Sequence, residues 1–452
     1  MKQPAHCSNP GAIIRKQGDG FFSETTQNPV LRVALVGFGT VGQSVARILC
    51  AGDRRPLALS HVCNRRVERK VVEWVPPAVT WTSDFDDVLR SDADVVVEVI
   101  GGLQPAGDWI RQALEAGKSV VTANKQVMAH DGADLLRVAG ERQRHLLFEA
   151  AVAGGIPIIR AVREGLAGDR LQRVLGVLNG TCNYILTRME AGPVPFDEAL
   201  REAQERGYAE ADPTADVDGG DAQAKLAILS AVGLGRRVAA PRIPLRSIRP
   251  VEPVDFTYAR RLGCTIRQVS RAEVARGPGT DVVASVQPML VPIRSPLARA
   301  EGSQNVVIVE GAYGGEAAFR GFGAGGDPTA VAVVSDLEAI ARAGVTAPRC
   351  WRPTEEARVE ADFEAPQYLR FVIVDRPGIL ASLAAVFWRH GLNIDSVLQE
   401  PDWPKSALPF VVTLEPCSSG AVQAALAEIE AFDFHARPPV WMPMLPRGER
   451  CS

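Results

Sequence analysis

The sequence predicts an α/β protein in three parts: an N-terminal doubly wound parallel sheet, a middle α+β domain and a C-terminal α+β unit. Three observations support this. Short β-branched runs alternate with helix-period segments as far as about Ala150, the rhythm of a parallel sheet with crossover helices. Strands and helices then interleave less regularly. After a Pro- and charge-rich stretch, the last segment reads strand, helix, strand, strand, helix. The length of 452 residues agrees, at roughly 150 residues per domain.

Residues 1–29 are polar, carry Gly and Pro, and lack the apolar run of a secretory signal. They read as a disordered extension. Leu31 to Val36 is an apolar strand that ends at Gly37-Phe38-Gly39-Thr40-Val41-Gly42. Val41, Val45, Ile48 and Leu49 then recur at helical spacing. Leu57 to Cys63 is a second strand. Asp94 to Ile100 is a near-continuous β-branched run, as in a parallel strand buried on both faces. A helix from about Gly107 to Ala116 and a strand from Ser119 to Thr122 follow, within a first domain of residues 30–150. The middle domain, 151–322, has helices near Ile158–Leu166 and Phe196–Arg206. Its strands lie near Arg173–Leu178, Val282–Val291 and Val306–Val309. Gly323 to Thr329 opens a helix, Ala330 to Ala343, that returns to the first domain and completes it over about 323–346. Residues 347–365 read as a linker. The unit 366–446 has strands Tyr368–Val374, Asn393–Gln399 and Phe410–Leu414, helices Ile379–His390 and Ala421–Ala431, and a weakly indicated last strand. This order, βαββα with a final β, is ferredoxin-like.

Composition excludes several classes of function. Hydrophobic residues are 46 %, charged residues 23 %, and the net charge is -3. That balance gives no reason to expect nucleic acid or an anionic membrane as partner. No stretch approaches the ~20 consecutive apolar residues of a spanning helix. The eight cysteines form no CxxC pair, which fits a reducing cytoplasm. No histidine lies between Leu146 and Arg389. Acid–base chemistry in that region falls to Lys, Asp, Glu, Tyr or Cys.

The glycine turn follows a predicted strand and opens a predicted helix, the context that gives GxGxxG its meaning. Gly37 permits the turn, Gly39 lets backbone approach a pyrophosphate, and Gly42 allows close helix–strand packing. The first domain is therefore Rossmann-like; an ordinary βα turn is the plainer alternative. The second strand ends Cys63-Asn64-Arg65-Arg66, with no carboxylate until Glu68. Arg65 and Arg66 suit a ribose 2′-phosphate, so NADP(H) is the expected cofactor, with NAD(H) second. The alternative is that both are solvated charges. The densest chemistry is Gly207 to Asp221 followed by Lys225, with five acids among Gly and Pro. Asp221 and Lys225 are i and i+4 on one helix face; alone, such a pair is usually a surface salt bridge. An EF-hand is excluded, because the twelfth position counted from Asp212 is Gln223 rather than Glu. Lys125 follows a strand, at the carboxyl end of a parallel sheet where such folds bind ligands. The amides and hydroxyl of Asn179-Gly180-Thr181 could bind a small polar substrate, or the segment is a simple strand-to-helix turn with Thr181 as cap.

These residues resemble the homoserine dehydrogenase family over nearly the full length from about Leu31. The match lies in VVVEVIGGLQPA with AGKSVVTANK, EAAVAGGIPII with LGVLNGTCNYIL, GYAEADPTADVDGGDAQAKLAIL, and GFGAGGDPTAVAV. YLRFVIVDRPGILASLAAVF with LNIDSVLQE is similar to an ACT domain, a small regulatory module. The resemblance implies reversible reduction of L-aspartate 4-semialdehyde to L-homoserine by NAD(P)H, in threonine and methionine supply. It implies Lys225 as proton donor, Asp221 orienting it, and Lys125 as a second acid–base candidate. Glu210 would bind the substrate ammonium, supported by Asp216, with Tyr208, Gly180 and Thr181 lining the pocket. Phe38, Gly39, Thr40, Val41, Gly101, Lys125 and Gly326 would contact the cofactor. A monovalent cation, Na+ or K+, would be held by the backbone carbonyls of Glu149, Val152, Gly154 and Ile156. The middle domain would also dimerise, giving a homodimer or homotetramer, and threonine is the expected effector of the ACT-like unit.

Two other functions fit the residues less well. An aspartate-semialdehyde dehydrogenase needs a cysteine nucleophile with a histidine partner. Cys182 is suggestively placed, but the region lacks histidine. A non-catalytic nucleotide sensor would not need both Lys225 and Asp221.

Overall fold

A computed structural model describes residues 30–51, 56–275, 281–347 and 355–446. The predicted N-terminal extension lies outside these residues.

The first sheet is six-stranded and parallel. Its strands are β1 (Leu31–Val36), β2 (Leu57–Cys63), β3 (Thr80–Thr82), β4 (Val95–Glu98), β5 (Ser119–Thr122) and β6 (Leu146–Leu147), in the order 3-2-1-4-5-6. This is the doubly wound order with its switch point between β1 and β4. The β-branched runs are explained by burial on both faces. Val33, Leu35, Val95 and Val97 pack with Val45 and Ala46 of α1 (Thr40–Cys50). Ala34, Val36 and Val96 pack on the other side, with Val88 of α2 (Phe85–Arg90) and Ile110 and Leu114 of α3 (Ala106–Glu115). Two helices that the spacing does not announce, α4 (Lys125–His130) and α5 (Gly132–Glu141), follow β5.

The middle sheet has the order β12-β11-β7-β9-β10-β14. It starts with β7 (Leu171–Val177), preceded by the short α6 (Ile158–Arg160). The helices α7 (Gly180–Ala191), α8 (Phe196–Glu205), α9 (Thr214–Val217) and α10 (Gly220–Gly233) come next. Then follow the short β8 (Arg236–Arg237), α11 (Pro253–Arg261), β9 (Cys264–Val274), β10 (Val282–Pro292), β11 (Gln304–Gly311) and β12 (Gly315–Phe322). The helix α12 (Gly326–Ala343) packs back on the first sheet. Ala330, Val333 and Leu337 join the α1 side of its core, and Ser44 Oγ donates to Asp327 Oδ1 at 2.7 Å.

The stretch expected as a linker is corrected in part. Within it, β13 (Glu355–Glu356) pairs in parallel with β8, and β14 (Val359–Glu360) pairs in parallel with β10. These residues are stitched onto the middle domain rather than spanning free solvent. The C-terminal unit is β15 (Glu364–Ile373), α13 (Ile379–Arg389), β16 (Ile394–Gln399), β17 (Leu408–Ser418), α14 (Ser419–Ile429) and β18 (His435–Pro443). Its antiparallel sheet has the order 16-17-15-18. The final strand is present at full length.

This unit is fastened to α11. Asp255 caps that helix by accepting from Glu252 N at 2.8 Å. Its other oxygen accepts from Tyr368 Oη at 2.7 Å and from Arg370 Nε at 2.8 Å, with Asp255 and Arg370 almost wholly buried. Tyr258 Oη donates to Pro409 O at 3.0 Å. Tyr368, Val411 and Met442 enter the same apolar cluster as Phe256, Tyr258 and Val217.

Candidate active site

Three chain segments meet where the first sheet faces the middle domain. The first is the turn after β5. Asn124 caps α4, its Oδ1 accepting from Val127 N at 3.2 Å, and its Nδ2 donates to Gly102 O at 2.7 Å. That fixes Lys125 at the first helical position. The second is the start of α10. Gly219, at φ +95°, turns the chain so that Asp221 and Lys225 lie inward rather than toward solvent. The third is the β7–α7 turn, where Leu178 and Asn179 sit.

Asp221 bridges two ammonium groups. Its Oδ1 lies 2.8 Å from Lys125 Nζ, and its Oδ2 lies 2.7 Å from Lys225 Nζ. Lys225 also donates to Leu178 O at 2.8 Å. Two of its three N–H bonds are thus directed, and one remains. Asn179 Nδ2 donates to Asp216 Oδ1 at 2.7 Å and to Asp221 Oδ2 at 2.9 Å, and its Oδ1 caps α7 through Cys182 N. Asp221 and Lys225 are both 7 % exposed, so the pair is not the surface salt bridge that spacing alone would suggest. Burial alone would raise the Asp221 carboxyl. The charges of Lys225 and Lys125 override it and hold the carboxyl well below the usual range. The Asp221 charge in turn raises Lys125, against the effect of burial. Burial raises the Asp216 carboxyl, opposed by its bond from Asn179.

Both lysines line a cavity of about 320 Å³, together with Val41, Gly101, Gly154 and Gly323 to Gly325. Of the predicted dinucleotide residues, Val41, Gly101 and Lys125 line it; the glycine turn lies just before Val41. Gly37 has φ +104°, and a Cβ there would lie 2.9 Å from Val99 O. A Cβ on Gly42 would lie 2.1 Å from Gly37 O, so α1 can approach the turn only because that position is glycine. Gly39 faces open space, with nothing within 4 Å of where its Cβ would be; it opens α1, the 11-residue helix whose N-terminus attracts phosphate. Thr40 is the first residue of α1. Gly101, at φ +75°, is held by Glu98, whose buried carboxylate accepts from Ile100 N, Gly101 N and Thr122 Oγ1. Arg65 and Arg66 are exposed beyond the end of β2. This donor set and open glycine backbone fit a dinucleotide.

Some expected residues are placed differently. The Phe38 side chain is 1 % exposed and packs in the core, so only its backbone is available, and its N–H donates to Asn64 Oδ1 at 3.3 Å. Gly326 does not line the cavity. It is pressed against α1, where a Cβ would meet Ser44 Oγ at 2.9 Å. Glu210 is exposed on the approach to the site, close enough for its charge to raise Lys125. Tyr208 packs on Tyr184 with ring centroids 4.9 Å apart, and Thr181 Oγ1 donates to Tyr208 O at 2.6 Å. Gly180 lies against Ser303, leaving no room for a Cβ. Glu149, Val152, Gly154 and Ile156 span a tight coil with Ala153 and Gly154 both at positive φ. Among the described residues no cluster of three or more His, Cys, Asp or Glu could hold a metal ion. Cys182 is fully buried, its thiol raised by desolvation and donating to Asp216 O at 3.1 Å. That is unsuited to a nucleophile.

A glycine turn at the switch point of a parallel sheet, facing a cavity with paired lysines, defines a nicotinamide-dependent oxidoreductase. Residues 37–149 match the homoserine dehydrogenase NAD-binding domain, 157–337 the homoserine dehydrogenase catalytic family, and 367–433 the ACT domain. The chain is 40 % identical to a homoserine dehydrogenase of Mycobacterium bovis over 418 residues, covering 89 % of this chain and 94 % of that one. It is 38 % identical to that of Bacillus subtilis over 383 residues, covering 82 % and 88 %. A solved homoserine dehydrogenase from Thiobacillus denitrificans superposes with TM-score 0.83 at 34 % identity, covering 92 % of this chain and 99 % of that one. A hyperthermophilic archaeal homoserine dehydrogenase in complex with NADPH superposes with TM-score 0.59 at 26 % identity, covering 72 % and 99 %. The chain belongs to the homoserine dehydrogenase family.

Sequence reasoning missed Glu98 and the Leu178 carbonyl, and the contacts of Asn179. In Asn179-Gly180-Thr181 the sequence points to Thr181 as the cap, whereas Asn179 caps α7, and nothing in the spacing aims its amide at two carboxylates. Glu98 lies inside the VVVEVIGGLQPA motif, but the motif assigns it no task.

Proposed function

We propose that Lys225 is the acid–base group of homoserine dehydrogenase chemistry here, with Asp221 as its orienting partner and Lys125 as the second cation. The observation that supports this best is Asp221 lying between the two ammonium groups at 2.8 and 2.7 Å on the cavity wall. Bound NADPH supplies hydride to the aldehyde carbon. The aldehyde oxygen gains negative charge as that bond forms, and the third N–H of Lys225 meets it. The proton passes from Nζ to the oxygen, giving the hydroxyl of homoserine. Asp221 keeps both lysines in place, and Lys125 adds positive charge beside the same oxygen. Glu210 and Asp216, near Tyr208, Gly180 and Thr181, hold the substrate ammonium.

In the oxidative direction Lys225 acts as base. Lys225→Ala lowers turnover by a hundredfold or more, on the order of a lost acid–base group, while NADPH binding by fluorescence persists. Wild-type turnover rejects the role.

NADP(H) is the preferred cofactor, with Arg65 and Arg66 on the 2′-phosphate. Na+ or K+ is held by the carbonyls of Glu149, Val152, Gly154 and Ile156, a reading supported by the left-handed pair Ala153–Gly154 that curls this segment. The ACT domain takes threonine as inhibitor; calorimetry with threonine tests this, and no heat of binding rejects it. The protein works in the cytoplasm as a homodimer or homotetramer. Among the described residues no helix is long and apolar enough to cross a membrane.

A further inference from the structure

Asn305 is a buried polar side chain that shares a carbonyl with Lys225 and for which the reaction above has no use. It lies on β11 opposite Gly321 and is 0 % exposed. Its Nδ2 donates at 2.9 Å to Leu178 O, the same carbonyl that receives Lys225 Nζ at 2.8 Å. Only the amide nitrogen can face that oxygen, so the side-chain orientation is fixed. Its Oδ1 has no hydrogen-bond partner among the described residues, an arrangement that costs folding free energy rather than supplying it. The neighbours Val306 and Val307 are apolar, and for stability alone an apolar residue would serve at 305 as well.

On its other side Asn305 fills the space of a missing side chain. A Cβ on Gly323 would lie 2.0 Å from Asn305 Nδ2. Gly323 lines the cavity with Lys225, and its carbonyl lies 2.7 Å from where a Cβ on Gly154 would be. Asn305 is therefore wedged between the carbonyl that anchors Lys225 and the loop that walls the cavity.

We infer that Asn305 is a positioning residue for Lys225. By occupying the second lone pair of Leu178 O, it holds that carbonyl still. One N–H of Lys225 is then fixed on the carbonyl and one on Asp221, and the third is aimed at the substrate oxygen. The inference rests on Lys225 as the acid–base group.

The test uses the full-length enzyme. Asn305→Leu is nearly isosteric, removes the donor, and also removes the unpaired oxygen. Turnover of homoserine should fall at least about tenfold, as for a misplaced catalytic group. Its KM should stay within about twofold, and the melting temperature should not fall, since an unsatisfied buried group is gone. A purely structural asparagine would lose stability and turnover together. Asn305→Asp supplies a second readout if the leucine variant does not fold. Its protonated carboxyl can donate to Leu178 O and its carboxylate cannot, so turnover relative to wild type should recover as pH falls. Folded Asn305→Leu with turnover within twofold of wild type overturns the inference, as does an Asn305→Asp to wild-type ratio that is unchanged with pH. Lys225→Ala is measured alongside. Near-normal turnover there overturns the reading of Lys225 and this inference with it. A dead Lys225→Ala beside a normal Asn305→Leu sinks this inference alone.

Discussion

Asp221→Asn is the most informative single change. The wild-type carboxylate has an acceptor for each lysine, at 2.8 Å to Lys125 and 2.7 Å to Lys225, and it also accepts from Asn179 at 2.9 Å. An asparagine has one acceptor and one donor. Whichever way its amide lies, an N–H faces another donor, so one ammonium loses its partner. Removing one member of a buried charged set costs about 3–5 kcal/mol. At roughly 2–4 °C per kcal/mol for a domain of this size, the melting temperature should drop by about 6–20 °C at neutral pH. Turnover should fall about 10²- to 10³-fold, because the donor to the nascent oxyanion is no longer held in place. The pH dependence follows from the sign of the shift. The folded-state Asp221 carboxyl lies below its unfolded value. Its stabilisation is therefore fully present above about pH 4 and is lost as the pH falls toward the folded-state value. The difference in melting temperature between wild type and Asp221→Asn should be constant from pH 8 to 5 and shrink below about pH 4. Homoserine-dependent reduction of NADP+, followed by absorbance, and thermal melts across that range give both readouts. Turnover within threefold of wild type, or a gap that widens on acidification, refutes the reasoning.

Three further outcomes are expected. Arg370→Leu leaves Asp255 buried without its cation and should destabilise by about 3–5 kcal/mol, whereas Asp255→Leu with Arg370→Leu should recover much of that loss in denaturant titrations. Arg65→Ala should raise the KM for NADPH at least about tenfold, as expected for a lost charge-assisted bond to phosphate, and leave that for NADH nearly unchanged. Gly42→Ala places a methyl 2.1 Å from Gly37 O, so cofactor affinity measured by fluorescence titration should fall sharply while the far-UV circular dichroism is retained.

The parallel sheet was legible because strands buried on both faces write themselves as Val- and Ile-rich runs. Lys225 with Asp221 was legible because helical spacing brings them to one face. Lys125 could be suspected from its place after a strand, but not its bond to Asp221, which depends on how two domains meet. Phe38 sits inside the glycine motif yet points into the core; the motif specifies backbone, not that side chain. The helix α7 is buried nearly all round through Cys182, Asn183, Tyr184, Ile185 and Leu186, so it has no polar face to give a period. The strand β9 buries Arg267, Gln268 and Ser270 among its apolar residues, which hides the alternation. The two-residue strands β13 and β14 are too short to show an alternation, and the ion pairs that join Glu355 and Glu356 to Arg236 and Arg237 link positions more than a hundred residues apart.

The fastening of the C-terminal unit changes how deletion experiments should be understood. A chain cut after Ala347 forfeits more than the ACT domain itself. It strips the outer strand from β10, exposes Phe256 and Tyr258, and leaves Asp255 without its cation at the foot of α11. A shortened protein that is sluggish or insoluble therefore says little about feedback control. Point changes on the far side of the ACT sheet, away from α11, are the cleaner way to ask whether an amino acid signals to the lysines.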